Sequence, residues 1–150
     1  MTAFIQFFIS TVIAAFGFAA GAIIGRFARP ELNTGKKYFP YLKKAILAAL
    51  LLVAAYSFQK DMLIMLVLSL GIIAVFAIDF RDRSAYLVCS VALLLLDMLP
   101  EKLYLGAGLV FLYGLPAGSQ ALHEKRLPKS FLWPMMFAVL SIALHATLPI

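Results

Sequence analysis

Six long apolar runs divide this chain, and eleven of its thirteen Lys and Arg fall in only three of the intervals between them. The runs are Ala3 to Gly25, about Leu42 to Gln59, Met62 to Phe80, Ser84 to Leu99, Leu103 to Leu122 and Phe131 to Pro149. A helix rises about 1.5 Å per residue, so a hydrocarbon core of about 30 Å is crossed by roughly 20 apolar residues. Most of these runs meet that requirement, and the fourth is the shortest, with Pro100 and its neighbours available to extend it. Strands cannot satisfy their backbone in lipid unless they close into a barrel, and unbroken apolar runs lack the alternation of a barrel. The expected fold is all-α: a single polytopic bundle domain of six transmembrane helices.

Composition agrees. The chain has 150 residues, of which 64% are hydrophobic and only 13% charged. Soluble domains are nearer 45–50% apolar and about 25% charged. A domain of this size has no interior large enough for so much apolar surface, so lipid is its expected solvent. No basic residue precedes Arg26. The first run therefore lacks the basic start of a secretory signal peptide and reads as a true span. Cys89 is the only cysteine and lies within an apolar run, which excludes an internal disulfide and suggests a packing role.

Charge sets the expected orientation. Arg26, Arg29, Lys36, Lys37, Lys43 and Lys44 follow the first span, Arg81 and Arg83 the third, and Lys125, Arg126 and Lys129 the fifth. The other two turns carry one cation each, Lys60 and Lys102. Short loops rich in Lys and Arg remain cytoplasmic. The three basic loops are therefore expected inside, with both termini on the non-cytoplasmic side of a plasma (inner) membrane. Three antiparallel hairpins result. The short outer turns, Lys60-Asp61 and Pro100-Glu101-Lys102, force their flanking helices to pack against each other. A formal net charge of +6 on loops beside apolar spans points to the anionic leaflet rather than to nucleic acid.

Two spans carry packing signals. The first holds Gly17, Gly21 and Gly25, a low-relief face suited to close helix contact, within the bundle or in a homo-oligomer. The fifth holds Gly106, Gly108, Gly114, Pro116 and Gly118. Pro116 removes a backbone donor, so a kink or break is expected near Tyr113 to Gly118. Transporters present broken helix ends to their substrates, and a silent kink is the alternative.

Candidate chemistry is sparse. Intramembrane ionisable residues are costly and tend to be functional. Asp97 and His145 are both expected near the outer face, where a facing pair would form a proton or ligand site, because histidine changes charge near neutral pH. Tyr104, Glu101 and Lys102 would border it, and Gly114, Pro116 and Gly118 would lie on the same pathway. The alternative makes Asp97 a cap or interface residue and His145 an interfacial anchor. Asp79, Arg81, Asp82 and Arg83 read as a solvated, mutually paired inner turn. From Arg26 to Lys44, helix breakers Pro30, Asn33, Gly35 and Pro40 accompany Tyr38, Phe39 and Tyr41 among the lysines, a composition suited to anionic lipid. Gly35-Lys36-Lys37 lacks the remaining elements of a phosphate loop. His123 and His145 fall on opposite sides of the membrane, so no metal site, haem or other cofactor is expected.

Three functions fit these expectations: a small transport or channel protein, possibly homo-oligomeric; an accessory subunit among other membrane subunits; and a membrane enzyme using Asp97 and His145 on a lipid-like substrate.

Overall fold

The structure, a computed structural model, describes residues 2–28, 35–77, 82–123 and 130–147. They form six α-helices: α1 (Thr2–Phe27), α2 (Phe39–Ser57), α3 (Met62–Ala77), α4 (Asp82–Asp97), α5 (Pro100–His123) and α6 (Leu132–Thr147). A 3-10 turn, Lys36–Tyr38, leads into α2. Three helices are long and apolar enough to cross a membrane: α1, α2 and α5. The other three have 16 residues each, about 24 Å of helix. Large apolar side chains stand exposed on every helix, including Phe4, Ile13 and Phe16 on α1 and Leu63, Leu66 and Phe76 on α3. Water-soluble monomers rarely show contiguous apolar surface on this scale, and a membrane-associated protein has every reason to.

Three local expectations are corrected. Pro40 occupies the first turn of α2 rather than breaking a loop. The first turn has no helical acceptor for its N–H groups, so proline costs nothing there, and Phe39, Tyr41, Lys43 and Lys44 become helical. Pro100 begins α5 for the same reason and does not lengthen α4. The link between α4 and α5 is Met98–Leu99, where Leu99 N–H bonds Leu96 O at 3.0 Å and Lys102 N–H bonds Leu99 O at 2.8 Å. Finally, of the kink or break expected in α5 the break is not found, since the helix runs continuously through Pro116.

The packing shows what the glycines of α5 do instead. A methyl group on Gly114 would stand 2.5 Å from the backbone nitrogen of Phe18, and one on Gly118 would overlap Phe18 O. On α1, Gly17 and Gly21 press in the same way on the carbonyl oxygens of Phe111 and Leu115. Gly25 meets Ser119, whose Cα would lie 3.0 Å from an added methyl. Both helices thus use missing side chains to bring two backbones into contact, the device that dispersion-driven association in lipid favours. Ser119 Oγ then donates to Gly21 O at 2.7 Å across the seam.

These contacts also give helix directions. Gly17, Gly21 and Gly25 meet Phe111, Leu115 and Ser119 in ascending order, so α1 and α5 run parallel. Tyr86 meets Phe137 and Asp97 meets His145, so α4 and α6 run parallel. Phe7 meets His145 and Phe18 meets Phe131, which sets α1 antiparallel to α6. Tyr86 meets Tyr113, and Gly106 meets Leu93 and Leu96, which sets α4 antiparallel to α5. The directions of these four helices are those of a chain that reverses at every helix.

The helices joined by the three basic loops do not make the extensive interfaces. Those lie between α1 and α5, α2 and α5, α2 and α3, and α4 and α6. The hairpin grouping expected from the basic loops therefore describes connectivity, while packing follows the glycine faces and the short links Phe58–Asp61 and Met98–Leu99. Helices α4 and α5 supply much of the core, through Tyr86, Cys89, Leu93, Leu96, Leu103, Val110 and Tyr113. Helix α3 is peripheral, burying Leu68 and Val75.

Candidate functional site

Asp97 is the last residue of α4 and His145 lies in the last turn of α6. Because those helices run parallel, both C-terminal ends reach the same level. Partial negative charge accumulates at a helix C-terminus. It suits a histidine but opposes an aspartate, so Asp97 gains nothing as a cap at that position. Its partner lies across the interface: His145 Nδ1 is 2.8 Å from Asp97 Oδ2, with the side chains 10% and 6% exposed. The oxygen lies off the ring N–H direction, so this is a close polar contact rather than an aligned hydrogen bond.

Aromatic rings fix the imidazole from the α1 side. Phe7, fully buried, stacks on it at 4.5 Å between centroids and 13° between planes. Phe4 stands at 5.5 Å. An aromatic face accepts a cation as well as a neutral ring, so Phe7 tolerates either form of His145. The carboxylate on one side and the ring on the other leave the imidazole little freedom.

Three hydroxyls escaped sequence reading. Thr11 lies one turn beyond Phe7 on α1, and Ser141 one turn before His145 on α6. With α1 antiparallel to α6, they stand at matching heights. Ser10 lies beside Thr11, on the stripe that continues through Ala14 and Gly17 toward α5. All three are buried to within 1% of full enclosure. The signal for Thr11 and Ser141 was a four-residue spacing from Phe7 and His145, visible only once the helix register is known.

The glycines and proline expected on the same pathway lie at the α1–α5 seam. Tyr104 is 57% exposed on the surface of α5. Gly114, Pro116 and Gly118 belong to the α1–α5 seam. Gly118 meets Phe18, about three turns or 16 Å along α1 from Phe7. Gly17, Gly21 and Gly25 face the same seam and are thereby occupied within the chain. At the other ends of α4 and α6, Tyr86, Leu87, Trp133, Met136, Phe137 and Leu140 line a half-open, largely apolar groove of about 90 Å³.

Of the cationic residues, Arg26 is exposed in the last turn of α1, and Lys36 lies in the 3-10 turn. Lys37 Nζ sits 5.0 Å from the Tyr38 ring centroid. Lys43 and Lys44 are half-buried on α2. Arg29, Pro30, Asn33, Asp79, Arg81, Lys125, Arg126 and Lys129 lie outside the described residues, and Asp82 and Arg83 are placed only as backbone at the start of α4. Among the described residues, no three His, Cys, Asp or Glu gather in one place.

No protein-family model matches this chain, and neither a curated protein nor a solved structure shows significant similarity to it.

Proposed function

We propose that this chain is a six-span integral membrane protein that transports a small solute or ion, with Asp97 and His145 as its polar site at the non-cytoplasmic end. The observation that carries this reading is the 2.8 Å contact between two ionisable side chains, nearly sealed, inside apolar helices. Such residues are expensive in a bilayer and mark ion or substrate routes there. A proton is the simplest cargo or coupling ion, because an imidazole and a carboxylate, both proton-exchanging groups, stand 2.8 Å apart there.

The directions of α1, α4, α5 and α6 support six crossings, with the cationic segments Arg26 to Lys44, Arg81 to Arg83 and Lys125 to Lys129 on the cytoplasmic side of the plasma membrane, against anionic lipid. The 16-residue helices fall short of 30 Å, a deficit that their longer apolar runs and local bilayer thinning can absorb. A homo-oligomer would need a face other than the glycine seam.

Purified protein in liposomes carrying a pH-sensitive dye tests the reading. Under an imposed pH gradient, the wild type should equilibrate faster than protein-free liposomes, and Asp97→Asn should lose at least tenfold of that rate. Equal rates for wild type and Asp97→Asn would refute it.

Helix α3 favours a second reading, an accessory subunit. It packs extensively on α2 alone and exposes Met62, Leu63, Leu66, Val67, Leu70, Ile73 and Phe76. This reading expects stoichiometric co-purification with another membrane subunit from native membranes. The paired acid and base would also serve an enzyme on lipid-like substrates, which turnover of labelled lipid in the same liposomes would reveal.

A further inference from the structure

The groove between α4 and α6 lies at the opposite end of those helices from Asp97 and His145. On α6 it is lined by Trp133, Met136, Phe137 and Leu140, whose steps of three and four residues put them on one helix face. On α4 it is lined by Tyr86 and Leu87. Tyr86 and Phe137 are buried, with ring centroids 6.1 Å apart, and form its floor. Leu87 and Met136 are 47% and 48% exposed and form its rim. One turn on from the rim, Val91 and Val139 are exposed as well. The groove therefore opens sideways, onto the surface that faces lipid in the six-span reading.

Size and charge select what would lie in it. Its volume of about 90 Å³ is well below the roughly 300–1,000 Å³ that encloses a drug-sized ligand. The lining from Trp133 to Leu140 nevertheless runs about 10 Å along α6. A narrow apolar slot, open to lipid, suits part of an extended hydrocarbon chain. The parallel course of α4 and α6 brings both N-termini to this end. Helix α6 has no acidic residue in its first turn, so the positive partial charge of its N-terminus is available to an anion. In sequence, the stretch just before α6 sets Lys125, Arg126 and Lys129 against Glu124 alone, whereas the stretch before α4 balances Arg81 and Arg83 with Asp79 and Asp82. The excess charge is positive and falls on the α6 side. We propose that the groove holds one acyl chain of an anionic phospholipid, with the headgroup at the N-terminal end of α6. The inference rests on the six-span reading, because it needs lipid at this end of the bundle, and it is independent of what the protein transports.

Trp133 is the only tryptophan in the chain, so the fluorescence of the unmodified protein reports on the groove. Brominated acyl chains quench tryptophan on contact. The full chain is reconstituted in bilayers mixing phosphatidylcholine and phosphatidylglycerol, with one lipid brominated at a time. Brominated phosphatidylglycerol should reach Trp133 with a preference of about fivefold over phosphatidylcholine, the effect of one lysine or arginine near the surface. Leu140→Phe and Leu87→Phe fill the groove from opposite walls. Either variant, once shown by circular dichroism and elution to fold as the wild type does, should lose the preference. Equal quenching by the two lipids in the wild type would overturn the proposal. A preference kept in the filled variants would mean that the headgroup alone is held, and would overturn the groove. Quenching by neither lipid would place Trp133 outside the bilayer and overturn the six-span reading as well. Equal flux in wild type and Asp97→Asn would remove only the transport reading, and the lipid preference would still decide the groove.

Discussion

Ser119 on α5 donates its hydroxyl to the carbonyl oxygen of Gly21 on α1 at 2.7 Å. Two residues 98 positions apart in the chain bring their helices almost backbone to backbone there. Hydrogen bonds between membrane helices contribute about 0.6 kcal/mol on average and rarely more than about 1.7. Ser119→Ala should therefore lower stability by about 1 kcal/mol, measured by unfolding in mixed micelles. A loss above about 3 kcal/mol would mean that the serine does more than bridge the seam.

Alanine substitutions of the glycines should rank by the space around each. Gly17, Gly21, Gly114 and Gly118 face backbone atoms that cannot yield, so each alanine should cost about 3 kcal/mol by forcing the helices apart. Gly108 has open space where its methyl would go. There alanine should leave stability unchanged or raise it by up to about 1 kcal/mol, since glycine is the poorer helix former. Thermal unfolding of the five variants checks the ranking. Equal effects at Gly108 and Gly114 would argue against the seam.

Asp97 and His145 should behave as one unit. Removing one partner of a buried pair strands the other, a loss of about 3 kcal/mol or more, whereas removing both relieves it. Asp97→Asn and His145→Gln should each destabilise, and the double variant should be less impaired than the sum of the two. Strict additivity in chemical denaturation would indicate that the side chains do not meet.

Much of the architecture was legible in the sequence, because lipid imposes blunt rules. The helices follow the apolar runs closely, and Gly17, Gly21 and Gly25 mark a face that only close packing rewards. The fate of α5 was not legible. Pro116 argues for a break when its helix is considered alone, and only the α1 backbone beside Gly114 and Gly118 explains why smooth contact matters more there than a hinge. The meeting of Asp97 and His145 was legible as depth, since both lie near the same end of their spans. The hydroxyls behind them were not, because serine and threonine are unremarkable in a helix until their rotamers are known. The starts of α2 and α5 were misplaced for one shared reason: a proline at the boundary of an apolar run reads equally as a stop and as a first turn.

The central claim is that the chain crosses the bilayer six times, with the Asp97–His145 end facing away from the cytoplasm. Labelling of single cysteines, placed in a Cys89→Ala background and treated with a membrane-impermeant maleimide on intact cells, tests it most directly. Lys60→Cys and Glu101→Cys should react from outside, while Lys37→Cys and His123→Cys should react only after permeabilisation. Labelling of Lys37→Cys on intact cells, or protection of Glu101→Cys, would contradict the account.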